Sequence, residues 1–322
     1  MNMSNYRNYP LILAHGITRP DYLVDFVARK LNLRDYSQVY DHLHYFKGIA
    51  SYLKQHGFEV YHTSVSFAAG VEKRAQDLTR EIQRILTTTG REKVHIIGHS
   101  MGGLDARHMI VNHGMAEKVA SVTTLGTPHL GASVADWFIE NGRWHKIFSA
   151  LGRVINLEGF KDLTTAACRA FNDKARDAEA ANGVVYQVYS SSHRREFTFL
   201  PFQKSWQVTY DHEGDNDGLV SVQSQKWEVD LRAKSGARKV IHQHDFPVSA
   251  DHVNQMGWVH RTGLFKTNSW NWQIWKEKRA YELAVKNVYL EIAREVTARV
   301  ENNASRFMEN QMMRDLQHCA NE

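Results

Sequence analysis

Cysteine is almost missing from this chain: Cys168 and Cys319 are the only two in 322 residues. That excludes a disulfide framework and a cysteine-rich metal site. A single bridge stays open to the sequence, and two free thiols are the simpler expectation. Proline is scarce, with 5 residues, and glycine is ordinary, with 20, which excludes a low-complexity or linker-dominated chain. No run of about 18 uncharged apolar residues occurs, so no transmembrane segment is expected. Met1 to Pro10 is polar and lacks an apolar signal core. The chain as given therefore reads as soluble and unexported (cytoplasmic), or as the mature form of a secreted protein. No dense Lys/Arg run or basic helix is present, so no nucleic-acid partner is expected. From Asn271 to Glu322 acidic and basic residues balance. The net charge of +5 leaves room for a weak attraction to anionic lipid surfaces.

What is present is a core former. The hydrophobic fraction is 43%, enough to bury a sizeable interior in one α/β unit. Residues 10–14 (PLILA) form a short apolar run that stops at His15-Gly16, which predicts a buried strand. Asp41 to His56 carries Leu43, Phe46, Ile49 and Leu53 at helical spacing and ends at Gly57. Residues 58–65 and 93–97 predict two more strands, with a helix between them over 71–86. Residues 104–113 read as helix and 119–125 as strand. This alternation implies a largely parallel sheet with helices on both faces. From Gly131 to Phe171, Trp137, Phe138, Ile139, Trp144, Ile147 and Phe148 stand among polar residues and suggest a helical excursion. Residues 183–189 and 239–243 predict further strands. Trp275 to about Val300 predicts a long helix with Tyr281, Val285, Val288, Ile292 and Val296 on one face. There is no internal repeat and no clean domain boundary.

Gly98-His99-Ser100-Met101-Gly102 fits the pattern G-x-S-x-G, directly after one expected strand and directly before a helix. Such a turn is tight enough that a Cβ at either glycine would clash, and it lifts the serine off the strand end. The helix N-terminus beneath favours negative charge near Ser100. Ser100 is thus the candidate nucleophile. An attacking serine builds an oxyanion, and each preplaced donor lowers the barrier by roughly 3 kcal/mol. The backbone N–H of Met101 is one candidate donor; that of Ile17, after His15-Gly16, is the second.

Serine needs a base, and the base an orienting acid, expected downstream in that order. Asp215-Asn216-Asp217-Gly218 is a polar turn running into an apolar stretch. Asp217 is the candidate acid and Asp215 the alternative. His242, His244, His252 and His260 all follow, and spacing alone does not choose among them. His252 lies on a loop between the last expected strand and the long helix, where the base is presented; it is the candidate base.

Six segments in order resemble the bacterial triacylglycerol lipase family, of the Pseudomonas, Burkholderia, Staphylococcus and Geobacillus type. They are YPLILAHG (9–16), KVHIIGHSMGG (93–103), SVTTLGTPHLG (121–131), NDGLV (216–220), DHVNQMGW (251–258) and VYLEIA (288–293). The resemblance implies an α/β-hydrolase fold with a mostly parallel central sheet. It implies Ser100, Asp217 and His252 as a triad, and Ile17 and Met101 as oxyanion donors. It also implies one domain over 1–322, with a helical cap or lid about 131–180 that packs on the site when closed and meets lipid when open. A C-terminal helical extension about 298–322 lies past the match. The expected function is a serine ester hydrolase, a lipase on acylglycerols or similar lipid esters, working at a lipid–water interface and needing no cofactor. An esterase for short or soluble esters, a phospholipase and an acyltransferase share that site and remain alternatives.

The chain also departs from the pattern. The resemblance implies a structural calcium beside the loop of the base, held by carboxylates or an amide just after the histidine. Val253, Asn254 and Trp258 stand there instead, and no acidic residue follows His252 for many positions. A calcium of that type is not expected, because Ca²⁺ wants several carboxylate or carbonyl oxygens. No counterpart of the Geobacillus-type zinc ligands is evident.

Overall fold

A computed structural model describes residues 9–17, 45–66, 69–141, 157–259 and 272–319. Its centre is β1 (Leu11–Ala14), β2 (Val60–His62), β3 (Val94–His99), β4 (Val119–Leu125), β5 (Val185–Ser190) and β8 (His242–Asp245). They form one six-stranded sheet in the order β2-β1-β3-β4-β5-β8, and every neighbouring pair is parallel. β1, β3 and β4 are buried along their whole length. That is why β1 and the centre of β3 read as apolar runs and not as alternating ones.

Parallel strands need crossovers, and helices supply them. α1 (Ile49–Gln55), α2 (Val71–Thr89), α3 (Met101–Asn112), α4 (Ser133–Asn141), α5 (Leu157–Lys161), α6 (Thr165–Ala181), α7 (Gln203–Glu213), α8 (Val222–Lys226) and α9 (Trp272–Cys319) follow in chain order. One sheet face is covered by Leu78, Ile82 and Ile85 of α2 with Met109 and Ile110 of α3. The other is covered by Phe46, Ile49 and Leu53 with Val285, Val288, Ile292 and Val296 of α9. The excursion after β4 is helical where described, through α4, α5 and α6; residues 142–156 lie outside the described residues, as do Leu43 and His260.

Two expectations need correction. The strand expected over 58–65 is limited to Val60–His62, because β2 pairs only with the short β1. The single strand expected over 239–243 is two. β6 (Asp230–Arg232) and β7 (Arg238–Val240) form an antiparallel ribbon, and only after Ile241 does β8 join the main sheet. Ile241 is buried, with its N–H on the Val229 carbonyl, and there the chain changes partners. The long helix α9 starts at Trp272 and continues without a break past Val300 to Cys319, through the stretch expected as a helical extension. Among the described residues no helix is long and apolar enough to cross a membrane.

Candidate active site

All six strands point the same way, so the ends of β1, β3, β4 and β5 and the loops after them gather on one edge. Ser100 sits on that edge between β3 and α3, with φ 56° and ψ −130°. A non-glycine residue at positive φ is strained, and the surroundings hold it there. Its N–H donates to the Leu125 carbonyl (2.9 Å), and Thr127 Oγ1 donates to its carbonyl (2.8 Å). Glycine is obligatory beside it, since a Cβ on Gly102 would strike the Ala14 and His15 carbonyls of the β1 exit. Gly16 is equally close from the other side: a Cβ there would lie 2.5 Å from the Tyr45 hydroxyl and 3.3 Å from Ser100 Oγ. The loop carrying Gly16 and Ile17 thus passes directly against the serine. Met101 follows the serine at the start of α3 and is fully buried.

Arg74 of α2 secures that loop. Its buried guanidinium donates to the carbonyls of His15 (2.7 Å) and Gly16 (3.2 Å). It also makes a two-pronged pair with Asp105 of α3, Nε to Oδ2 at 2.9 Å and Nη2 to Oδ2 at 2.6 Å. One side chain therefore joins α2, α3 and the β1 exit.

Asp217 and His252 come together. His252 Nδ1 lies 2.8 Å from Asp217 Oδ2, and the His252 N–H donates to the Asp217 carbonyl, also at 2.8 Å. The carboxylate is saturated with donors. Oδ1 accepts from the N–H groups of Leu219 (3.1 Å) and Val220 (2.9 Å), and Oδ2 accepts from Gln255 Nε2 (2.9 Å). The other Gln255 amide proton goes to Ser191 Oγ (2.7 Å). The His252 ring packs on that of His99, the residue before Ser100, with centroids 4.5 Å apart. His99 Nδ1 is 2.7 Å from the Tyr45 hydroxyl. Burial, with His252 adding to it, holds the His99 imidazole well below its ordinary pKa, so it stays neutral.

The alternatives lie elsewhere. Asp215 is exposed. His242 and His244 belong to β8 and face α9, His242 beside Arg299 and His244 stacked on Tyr189. Sequence reasoning missed Gln255, Tyr45, Arg74 and Asp251. The first and last stand in the DHVNQMGW segment, so the signal was there without a way to assign it. Asp251, fully buried beside the base, bears on the calcium question. Its Oδ1 accepts from the N–H groups of Val253 (3.0 Å) and Asn254 (2.8 Å), and its Oδ2 from that of Phe199 (2.7 Å). The acid nearest the base thus spends its lone pairs on backbone donors. The residues around this loop do not fit a calcium site, which needs several free oxygens.

Beside the serine, Met101, Leu104, Val134 and Phe138 share an apolar cluster. A small apolar pocket opens between α4 and α7, lined by Val134, Trp137, Phe138, Pro201, Phe202 and Val208. Ser205 of α7 donates to the Gly218 carbonyl (2.7 Å), next to Asp217.

Known proteins resemble this chain in sequence and in fold. Residues 9–172 match the family described as alpha/beta hydrolase fold. Triacylglycerol lipase 2 of Saccharomyces cerevisiae is 29% identical over 192 residues, 58% of this chain and 57% of that one. Triacylglycerol lipase of Burkholderia plantarii is 37% identical over 132 residues, 40% of this chain and 32% of that one. This chain thus covers under two thirds of the length of either relative. The structure of Bacillus licheniformis lipase BlEst2 in mature form aligns with a TM-score of 0.54 at 17% identity, covering 80% of this chain and 88% of that one, a likeness of fold. With a family match over half its length and a parallel sheet carrying a strained serine turn, this chain belongs to the alpha/beta hydrolase fold family.

Proposed function

We propose that the protein is a serine carboxylic-ester hydrolase, a lipase that cleaves acylglycerols or similar lipid esters. The observation that carries this reading is the Asp217–His252 pair packed against the strained turn of Ser100. In this reading Ser100 Oγ attacks the ester carbonyl while His252 Nε2 takes its proton. Asp217 accepts from Nδ1–H, which fixes the imidazole tautomer and stabilises the charge it gains. The N–H groups of Met101 and Ile17 receive the oxyanion. His252 then protonates the departing alcohol, leaving an acyl-serine. Water gives a proton to His252 as it attacks that ester, and collapse releases the acid and returns the proton to Ser100. None of these steps calls on a cofactor. The Val134 and Phe138 side chains, in one apolar cluster with Met101, present hydrocarbon next to the serine turn. Residues 131–180 would then act as a cap over the site.

A p-nitrophenyl ester series from acetate to palmitate tests the reading. Long-chain esters should be hydrolysed, and Ser100→Ala should lower kcat by about 10⁴-fold or more. Turnover confined to the shortest esters would reassign the substrate to soluble esters. An Ala variant as fast as the wild type would remove Ser100 from the chemistry.

A further inference from the structure

α9 runs antiparallel to the strands, as three contacts show. Arg299 reaches His242 at the start of β8, Glu295 lies beside His244 further along it, and Tyr281 donates to the Ser249 carbonyl beyond its end (2.7 Å). Ser249 is close in sequence to His252, so Tyr281 already lies at the edge of the sheet that carries the site. The helix starts nine residues earlier, at Trp272, and at 1.5 Å per residue its first turns extend about 14 Å past that edge.

Those turns have an unusual surface. Trp272 is 80% exposed, Trp275 50% and Leu283 49%. Spacings of three and four residues put Trp272, Trp275, Lys276, Arg279 and Leu283 on one helical stripe. Tyr281, Val285, Val288 and Ile292, which pack on the body, occupy the opposite face. Between Trp272 and Ala280 there are three basic residues, Lys276, Lys278 and Arg279, and one acid, Glu277. Lys278 Nζ lies 5.7 Å from the centroid of the Trp275 ring. Exposed tryptophans cost solubility, and nothing in the proposed chemistry uses them. Indole rings flanked by long cationic side chains are the groups that settle at the headgroup level of a lipid surface. The basic excess matches an anionic one.

We propose that the first turns of α9 form a lipid-surface anchor, which seats its exposed Trp272 and Trp275 among the headgroups of an anionic lipid layer and faces the Ser100 edge toward it. The anchor goes beyond the hydrolase reading and does not depend on Ser100. Binding is therefore measured on the full chain carrying Ser100→Ala, which leaves the lipid intact. The readout is flotation with vesicles of phosphatidylcholine alone and of phosphatidylcholine with about one-third phosphatidylglycerol.

The Ser100→Ala chain should float with the anionic vesicles. Adding Trp272→Ser and Trp275→Ser should lower its partition by about tenfold or more. Adding Lys276→Glu and Arg279→Glu instead should abolish the preference for the anionic vesicles. With Ser100 restored, both pairs of substitutions should hydrolyse a soluble short-chain ester at the wild-type rate, which verifies the fold. Absence of flotation, or equal partition of the tryptophan variant, would overturn the anchor. So would a concentration-dependent dimer in sedimentation that the tryptophan substitutions disperse, since the stripe would then bind a second copy of this chain. Failure of ester hydrolysis with flotation retained would count against the hydrolase reading alone.

Discussion

Gln255 reaches Asp217 from three residues beyond His252, and its amide takes one of the four donor positions around that carboxylate. Removing a hydrogen bond to a buried charged group costs roughly 1–3 kcal/mol. Applied to the proposed step in which His252 becomes charged, this slows turnover about ten- to hundredfold. Gln255→Ala should therefore lower kcat by that factor on a soluble ester and leave KM nearly unchanged. An unchanged kcat would mean that the Leu219 and Val220 N–H groups orient the carboxylate alone. Gly102 offers a stricter test. A methyl group there meets the Ala14 carbonyl, which is backbone and fixed by β1, so neither side gives way. Gly102→Ala should fail to accumulate as folded protein at 37 °C. A soluble variant with wild-type circular dichroism would show that the elbow has slack.

At the scale of elements, the Arg74–Asp105 pair is the joint worth breaking. Both side chains are buried, and breaking one partner of such a pair costs about 3–5 kcal/mol because the other charge is stranded. Arg74→Met should lower Tm by about 10 °C. Arg74→Met with Asp105→Leu should recover most of that loss, since no charge is then left behind. Calorimetry of the three proteins decides it; a double variant no more stable than the single one would refute the account. In both variants the His15 and Gly16 carbonyls lose their donor, so kcat should stay low even where Tm returns. Elements were legible where burial made them uniform. β1 and the centre of β3, buried throughout, appeared as apolar runs, and α2 showed its stripe of Leu78, Ile82 and Ile85. The break at Ile241 was not legible, because a run of five residues does not reveal that its two halves pair with different strands. Nor were the buried arginines. Arg74 finds Asp105 31 residues away, and Arg107 finds Glu179 at 72, with Trp227 stacked on its guanidinium. A sequence lists the charges without saying which ones meet. Asp217 and His252 became candidates through chain order and turn chemistry, whereas Gln255 and Asp251 act only through contacts that exist after folding.

The molecule as a whole contains 18 histidines, and several are buried where they cannot charge. Burial pushes His95 down to about 4. Burial, then Arg107 and His113, push His108 down to about 3. His99 and His129 are also held well below the ordinary value by burial, with His252 and Arg107 respectively adding to it. Each folded-state pKa lies below the unfolded value of about 6.5, so the unfolded chain binds more protons over that interval. Stability is then fully present above pH 6.5 and lost as pH falls toward 4. His95 alone accounts for roughly 3 kcal/mol by pH 4. Calorimetric scans between pH 7.5 and pH 5 should show Tm falling steadily below about pH 6.5. A flat profile would mean that these rings take up protons inside the fold, their charge met by acceptors there.

The site draws on distant parts of the chain: the turn at Ser100 lies between β3 and α3, while the Asp217–His252 pair joins loops on either side of β8. That spacing sets an order in time when the protein is made. A ribosome adds about 5–20 residues per second, so the proposed nucleophile leaves it many seconds before the proposed base. During that interval the emerging chain carries a serine elbow with no imidazole to activate it. On the proposed reading, the nascent chain stays silent until its sixth sheet strand is in place and the loop bearing His252 has followed it.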